Sequence, residues 1–163
     1  MFSALTEEAS KHINKVMSEL LEQVEAEAVF FCDRGGNIIA RQSANVYPHE
    51  ENIAALASGS FFATLEMARL LGESKFRRLI HQGEKTSIYM EGMKGDMILI
   101  VVFTRDSNPG LVKLYARNAR QKLEQFDIVE MSSGGKMQAL HGVKFEMVDE
   151  DQPFTHTIKT EHH

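Results

Sequence analysis

Few side chains in this sequence are set up for covalent chemistry. The single cysteine, Cys32, lies in an apolar run with no cationic neighbour to hold a thiolate. It reads as a small core hydrophobe and not as a nucleophile. The seven histidines are His12, His49, His81, His141, His156, His162 and His163. Apart from the terminal two, none stands near a cysteine or carboxylate at ligand spacing, so no metal site is expected. His12 falls on the apolar stripe of a helix and reads as a packed residue. Gly135-Lys136 lacks the earlier glycine and the hydroxyl residue of a phosphate-binding loop. No strand runs straight into a glycine-rich turn and a helix, so no dinucleotide site is expected. Ser58-Gly59-Ser60 sits inside a helix and not at a strand-to-helix elbow, which rules it out as a hydrolase nucleophile. Arg77 and Arg78 have the chemistry to stabilise phosphoryl-transfer charge. Their place on a strand reads better as the charge of a managed sheet edge. The expectation is a protein with no catalytic site of its own and no cofactor.

The bulk properties narrow the class. A chain of 163 residues is expected to form one domain, burying about 70% of its unfolded surface. Hydrophobic residues make up 43% and charged residues 25%, an ordinary globular balance. The net charge of −5 argues against a nucleic-acid partner, because such binding gains from neutralising phosphates. One cysteine cannot build a disulfide framework, which suits a reducing, cytoplasmic setting. The first residues lack a basic segment followed by an apolar one, so no signal peptide is expected. No run of about 18 apolar residues predicts a membrane span.

Any functional surface must then be positioned by the elements, and one dominates. Residues 52–72, NIAALASGSFFATLEMARLLG, read as a helix of about six turns, roughly 30 Å long. On a helical wheel its mostly apolar arc spans about 220°, against the ~100° that one core contact needs. Phe62 stands on the narrow polar side, among Ser58, Arg69, Ala55, Glu66 and Gly59. A large aromatic there marks a candidate binding surface. Residues 4–25 predict an amphipathic helix, with Leu5, Ala9, Ile13, Val16, Met17, Leu20 and Val24 along one face. Ala28 to Asp33 predicts a buried strand, Arg34-Gly35-Gly36-Asn37 a turn, and Ile38 to Gln42 the returning strand. After the long helix, Phe76 to His81, Thr86 to Glu91 and Met97 to Thr104 predict three strands of an antiparallel meander. Asn108-Pro109 starts a last helix running to Phe126. Val112, Tyr115, Ala116, Ala119, Leu123 and Phe126 are expected to face inward. Lys113, Arg117, Arg120 and Lys122 are expected outward, as a solvated basic face or an anion surface. Val143 to Met147 alternates like one more strand, and the acidic tail follows it. The expected fold is α/β, of α+β type. A five-stranded antiparallel sheet is sandwiched by one long helix on one face and two helices on the other.

At this point the chain resembles a known family. Cys32-Asp33-Arg34-Gly35-Gly36-Asn37-Ile38-Ile39-Ala40 is similar to the Asp-x-x-Gly hairpin of Roadblock/dynein light-chain domains. Leu70-Leu71-Gly72-Glu73, His81-Gln82-Gly83-Glu84 with Leu99 to Phe103, and Gly110-Leu111-Val112-Lys113-Leu114 resemble the MglB proteins more narrowly. These are bacterial partners of the Ras-like GTPase MglA. The resemblance covers residues 5 to 126. It implies a profilin-like Roadblock domain over 1–126 and a C-terminal extension over 127–163.

The resemblance further implies a homodimeric, cytoplasmic regulator acting in cell polarity and gliding motility. It would accelerate GTP hydrolysis by repositioning the GTPase's own catalytic residues, without an arginine finger. Paired long helices and a shared edge strand would build the dimer. The Leu56 sector would then face the sheet. Ala57, Phe61, Leu65 and Ala68 would meet the twin helix, joined by the strand Arg77, Arg78, Leu79, Ile80, His81 and Gln82. Phe62, Glu66, Arg69, Ser58, Gly59 and Ala55 would remain for the GTPase. A non-activating scaffold and a small-molecule sensor are the competing readings.

Overall fold

The computed structural model describes residues 6–73 and 77–125. The expected strand Val143 to Met147 and the inward-facing Phe126 lie outside the described residues. The elements are α1 (Glu7–Gln23), β1 (Ala28–Cys32), β2 (Ile38–Ser43), α2 (Glu50–Leu70), β3 (Arg78–Gln82), β4 (Thr86–Met93), β5 (Met97–Thr104) and α3 (Pro109–Gln125). The strands form one five-stranded sheet in the order β2-β1-β5-β4-β3, with every neighbouring pair antiparallel. The expected fold class is therefore observed.

Alternation along the strands divides the core into two layers. From β1 and β5, Val29, Phe31, Leu99, Val101 and Phe103 face α1 and α3, where they meet Ile13, Met17, Leu20, Val112, Ala116 and Leu123. Ala28, Phe30, Cys32, Ile98, Ile100 and Val102 face the other way, towards Ala54, Ala57 and Phe61 of α2. Both central strands are buried on both faces, which is why their sequences are continuous apolar runs.

Local chemistry sets the element ends. Thr6 caps α1 by accepting from the Ala9 N–H at 3.2 Å. Asn108 caps α3 by accepting from Gly110 N–H at 2.8 Å, with Pro109 at the first helical position. Gly72, at φ +71°, closes α2. The Glu73 N–H reaches the Ala68 carbonyl at 2.9 Å and the Gly72 N–H reaches Arg69 at 3.2 Å, the paired bonds of a Schellman end.

Two sequence expectations are corrected. The first concerns the orientation of α2. The Leu56 sector does not face the sheet: Leu56, Met67, Leu70 and Leu71 are 75%, 55%, 76% and 73% exposed. Ala54, Ala57, Ser58, Phe61 and Ala68 are buried instead. Small residues let α2 lie close on the sheet, and the one large ring in that row enters a space left by glycine. A Cβ on Gly92 of β4 would stand 2.6 Å from Phe61 Cζ.

The second correction concerns Arg120, which does not join an outer basic face but is 4% exposed. Its guanidinium pairs with Glu91 Oε1 at 3.1 Å and with Glu124 at 3.5 Å. Arg78 of β3 donates to Glu91 Oε2 at 3.2 Å, and the Tyr89 hydroxyl donates to the same oxygen. Glu91 itself is 0% exposed. Burial and this contact with Glu91 push the Tyr89 hydroxyl's pKa up. A buried carboxylate needs such a set of donors, because an unpaired charge inside a protein is very costly.

Candidate partner-binding surface

With its inner row on the sheet, α2 presents two outward surfaces. The first is the apolar band of Leu56, Ala63, Met67, Leu70 and Leu71. Beside it runs β3, the edge strand next to β4, tied to α2 by a 3.4 Å contact between Ser60 Oγ and His81 Nε2. By length and composition alone α2 resembles a membrane-crossing helix, with a hydropathy of 1.2. Its packing across the sheet makes it a domain helix with an uncovered apolar side.

The second surface is the flank of Ala55, Gly59, Phe62, Glu66 and Arg69. Ala55, Gly59, Glu66 and Arg69 are exposed and Phe62 is half-buried. The Phe62 ring meets Phe61 edge-on, with centroids 5.6 Å apart. The Arg34 guanidinium lies 4.9 Å over its ring centroid, a cation–π geometry. Arg34 also pairs with Asp96 at 3.2 Å, and Arg69 with Glu66 at 3.0 Å. The β1–β2 turn that carries Arg34 is itself pinned to α2. Gly36 stands at φ +81°, and a Cβ there would lie 2.5 Å from the Ala55 Cα. Asp33 Oδ1 holds the turn by accepting from the Asn37 N–H at 2.9 Å.

The structure thus brings together five of the six residues expected for a GTPase. Ser58 is the exception: it is fully buried beneath α2 and cannot touch a partner. Of the residues expected at a twin helix, Ala57, Phe61 and Ala68 are buried on the chain's own sheet, and Leu65 is half-buried on the same side. In β3, Ile80, His81 and Gln82 are exposed, Leu79 is half-buried towards α2, and Arg78 turns to Glu91. Sequence reasoning missed Arg34 and Asp96, which come from two turns and meet only in space. Gly92, a glycine inside a strand, is the one local sign of where Phe61 goes.

Cys32 is buried, and burial first, then the charge of Asp33, pushes its thiol up to about 12. It is not a thiolate at neutral pH. A cleft of about 300 Å³ opens between the β3–β4 turn and the start of α3. Two of its polar side chains are engaged by the chain's own backbone: Arg105 donates to the Glu84 carbonyl and Ser107 to the Glu25 carbonyl. Among the described residues no three His, Cys, Asp or Glu side chains group as a metal site would require.

The Roadblock/LC7 domain profile matches residues 6–103. The chain belongs to the Roadblock/LC7 domain family. Among solved structures, this Roadblock domain is similar to the gliding protein MglB from Thermus thermophilus. That match has 28% identity, covers 76% of this chain and 93% of that one, and has a TM-score of 0.70. Myxococcus xanthus MglB matches at 30% identity over 75% of this chain and 92% of that one, with a TM-score of 0.69. A structure described as MglB with tetrameric arrangement matches at 27% identity over 76% and 93%, with a TM-score of 0.70. No curated protein matches the chain.

Proposed function

We propose that this Roadblock domain is a homodimeric, cytoplasmic regulator of a Ras-like small GTPase, as the MglB resemblance implies. The observation that carries the reading is that α2 keeps two separate outward surfaces after the sheet has taken its inner row. The apolar band of Leu56, Ala63, Met67, Leu70 and Leu71 suits a second copy, continued by the edge of β3. Buried against a twin, such a band contributes roughly 25 cal/mol per Å² before the costs of association. The flank of Ala55, Gly59, Phe62, Glu66 and Arg69, with Arg34 above it, then faces the GTPase. A half-buried aromatic beside arginines is the composition of an interface anchor. Likeness to MglB at 27–30% identity, including a tetrameric arrangement, supports a self-associating regulator.

In this reading the protein accelerates GTP hydrolysis by repositioning the GTPase's own catalytic residues. Arg78 is engaged by Glu91, which favours a role inside this domain over one as an inserted finger. The test mixes the protein with a Ras-like GTPase of the MglA type and measures binding in the GTP and GDP states together with the hydrolysis rate. Binding selective for one state with faster hydrolysis supports the proposal. Binding with an unchanged rate makes the protein a scaffold, and no binding in either state sinks both readings.

A further inference from the structure

We propose that Arg78 is a positioning residue: it selects one of the registers open to the edge strand β3. Its consequence for assembly rests on the homodimer reading above. The observed register sets Arg78 opposite Glu91, Leu79 opposite Met90, Ile80 opposite Tyr89 and His81 opposite Ile88. Register is normally fixed by which side chains a strand buries, because a one-residue slip sends each of them to the other face. β3 buries little, having two half-buried residues and three exposed ones. Its approach also reads Arg77-Arg78-Leu79-Ile80-His81-Gln82, in which like residues follow one another. A slip therefore replaces a residue by a similar one along one face of the sheet.

Arg78 blocks the slip in both directions. Moved one way, β3 would set Ile80 opposite Met90 and keep the α2 side apolar. Leu79 would then oppose Glu91, and that buried carboxylate would lose Arg78. Moved the other way, Arg77 would replace Arg78 opposite Glu91 and Leu79 would replace Ile80 opposite Tyr89. Arg78 would then oppose Met90, where Leu79 packs in the α2 layer. Leu79 is half-buried there, so the guanidinium would give up part of its hydration without gaining a carboxylate. Arg120 pairs with Glu91 Oε1, and the other carboxylate oxygen accepts from Arg78 of β3 and from the Tyr89 hydroxyl.

The β3–β4 turn does not add a lock of its own. In the observed register Gly83 opposes Thr86, with an N–H to carbonyl distance of 3.1 Å, and Glu84-Lys85 form the loop. The favoured two-residue hairpin turns need positive φ. Among the described residues the non-glycine positions with positive φ are Glu25, His49 and Asp96, so Glu84 and Lys85 do not adopt it. A slip that sets Arg77 opposite Glu91 lengthens the loop to Gly83-Glu84-Lys85, a form hairpins also use. It also exchanges which residues of β3 turn their N–H and C=O groups outward, and so presents a different edge to a second copy.

Cross-strand contacts in NMR spectra of the full chain, read beside the dimer dissociation constant, test this. In the Arg78→Ala variant Leu79 should leave Met90 for Tyr89, and the dimer should weaken at least tenfold. Arg78→Lys should retain the original contacts. Adding Arg77→Ala to Arg78→Ala should return Leu79 to Met90, because no arginine is then left to gain from the slip. General destabilisation would not produce that reversal. Leu79 remaining on Met90 in both Arg78→Ala and Arg78→Met overturns the proposal. So does failure of both variants to fold, which would make Arg78 a folding residue. A monomeric wild type whose Arg78→Ala variant still slips would sink the homodimer reading and leave register selection standing.

Discussion

Single side chains on α2 differ sharply in what they can do, although the wheel places several of them together. Phe62 is half-buried under the Arg34 guanidinium. Phe62→Arg should set two like charges against each other on the flank. Under the proposed function it should weaken binding of the small GTPase at least tenfold in calorimetry and leave the proposed homodimer intact by analytical ultracentrifugation. Ser58 lies on the sheet side, with a buried hydroxyl that has no hydrogen-bond partner among the described residues. Ser58→Ala should raise stability in urea by about 1 kcal/mol and leave partner binding unchanged. Cys32 gives a pH signature. Its thiol is raised from 9.0 to about 12 in the folded state, so folding favours the protonated form. That contribution is intact below pH 9 and is lost as pH rises from 9 towards 12, by about 1.4 kcal/mol per unit. Cys32→Ala should flatten the alkaline limb of the stability profile.

At the scale of elements, the sequence was legible wherever pattern and punctuation agreed. Met97 to Thr104 is an eight-residue apolar run, and it is the buried β5 with those limits. Asn108-Pro109 starts α3 as its cap chemistry requires. The orientation of α2 was not legible, because an apolar arc that wide fits the sheet at several rotations. The choice fell to the small residues Ala54, Ala57, Ser58 and Ala68 and to the space at Gly92, which no periodicity reveals. Arg120 was misread for a related reason: its partner Glu91 is distant in sequence, so the charge looked solvated. The Arg34–Asp96 pair likewise joins separate turns. Two glycines test the element geometry in opposite directions. Gly36→Ala forces a side chain into positive φ and against the Ala55 backbone, and should cost more than about 1 kcal/mol. Gly59 meets nothing within 4 Å of an added Cβ, so Gly59→Ala should stabilise α2 by about 0.5–1 kcal/mol. Thermal melting of both variants reads the contrast.

For the whole molecule, the sheet holds the chain together and α2 leaves an apolar band exposed. If the proposed homodimer forms through the α2 band, Leu56→Arg should give a folded monomer, with sedimentation giving the mass and circular dichroism an unchanged helix content. Retention of the dimer would move the twin contact off the α2 band. The strand order also sets a timetable for synthesis. The floor beneath α2 includes Ile98, Ile100 and Val102 of β5, which leave the ribosome after the helix does. A nascent chain ending before β5 carries the long apolar helix with an incomplete platform on one side and an uncovered apolar band on the other. Such exposed surface is what chaperones hold and what aggregates recruit. The stretch left exposed on the finished domain is therefore also a hazard while the chain is still being made.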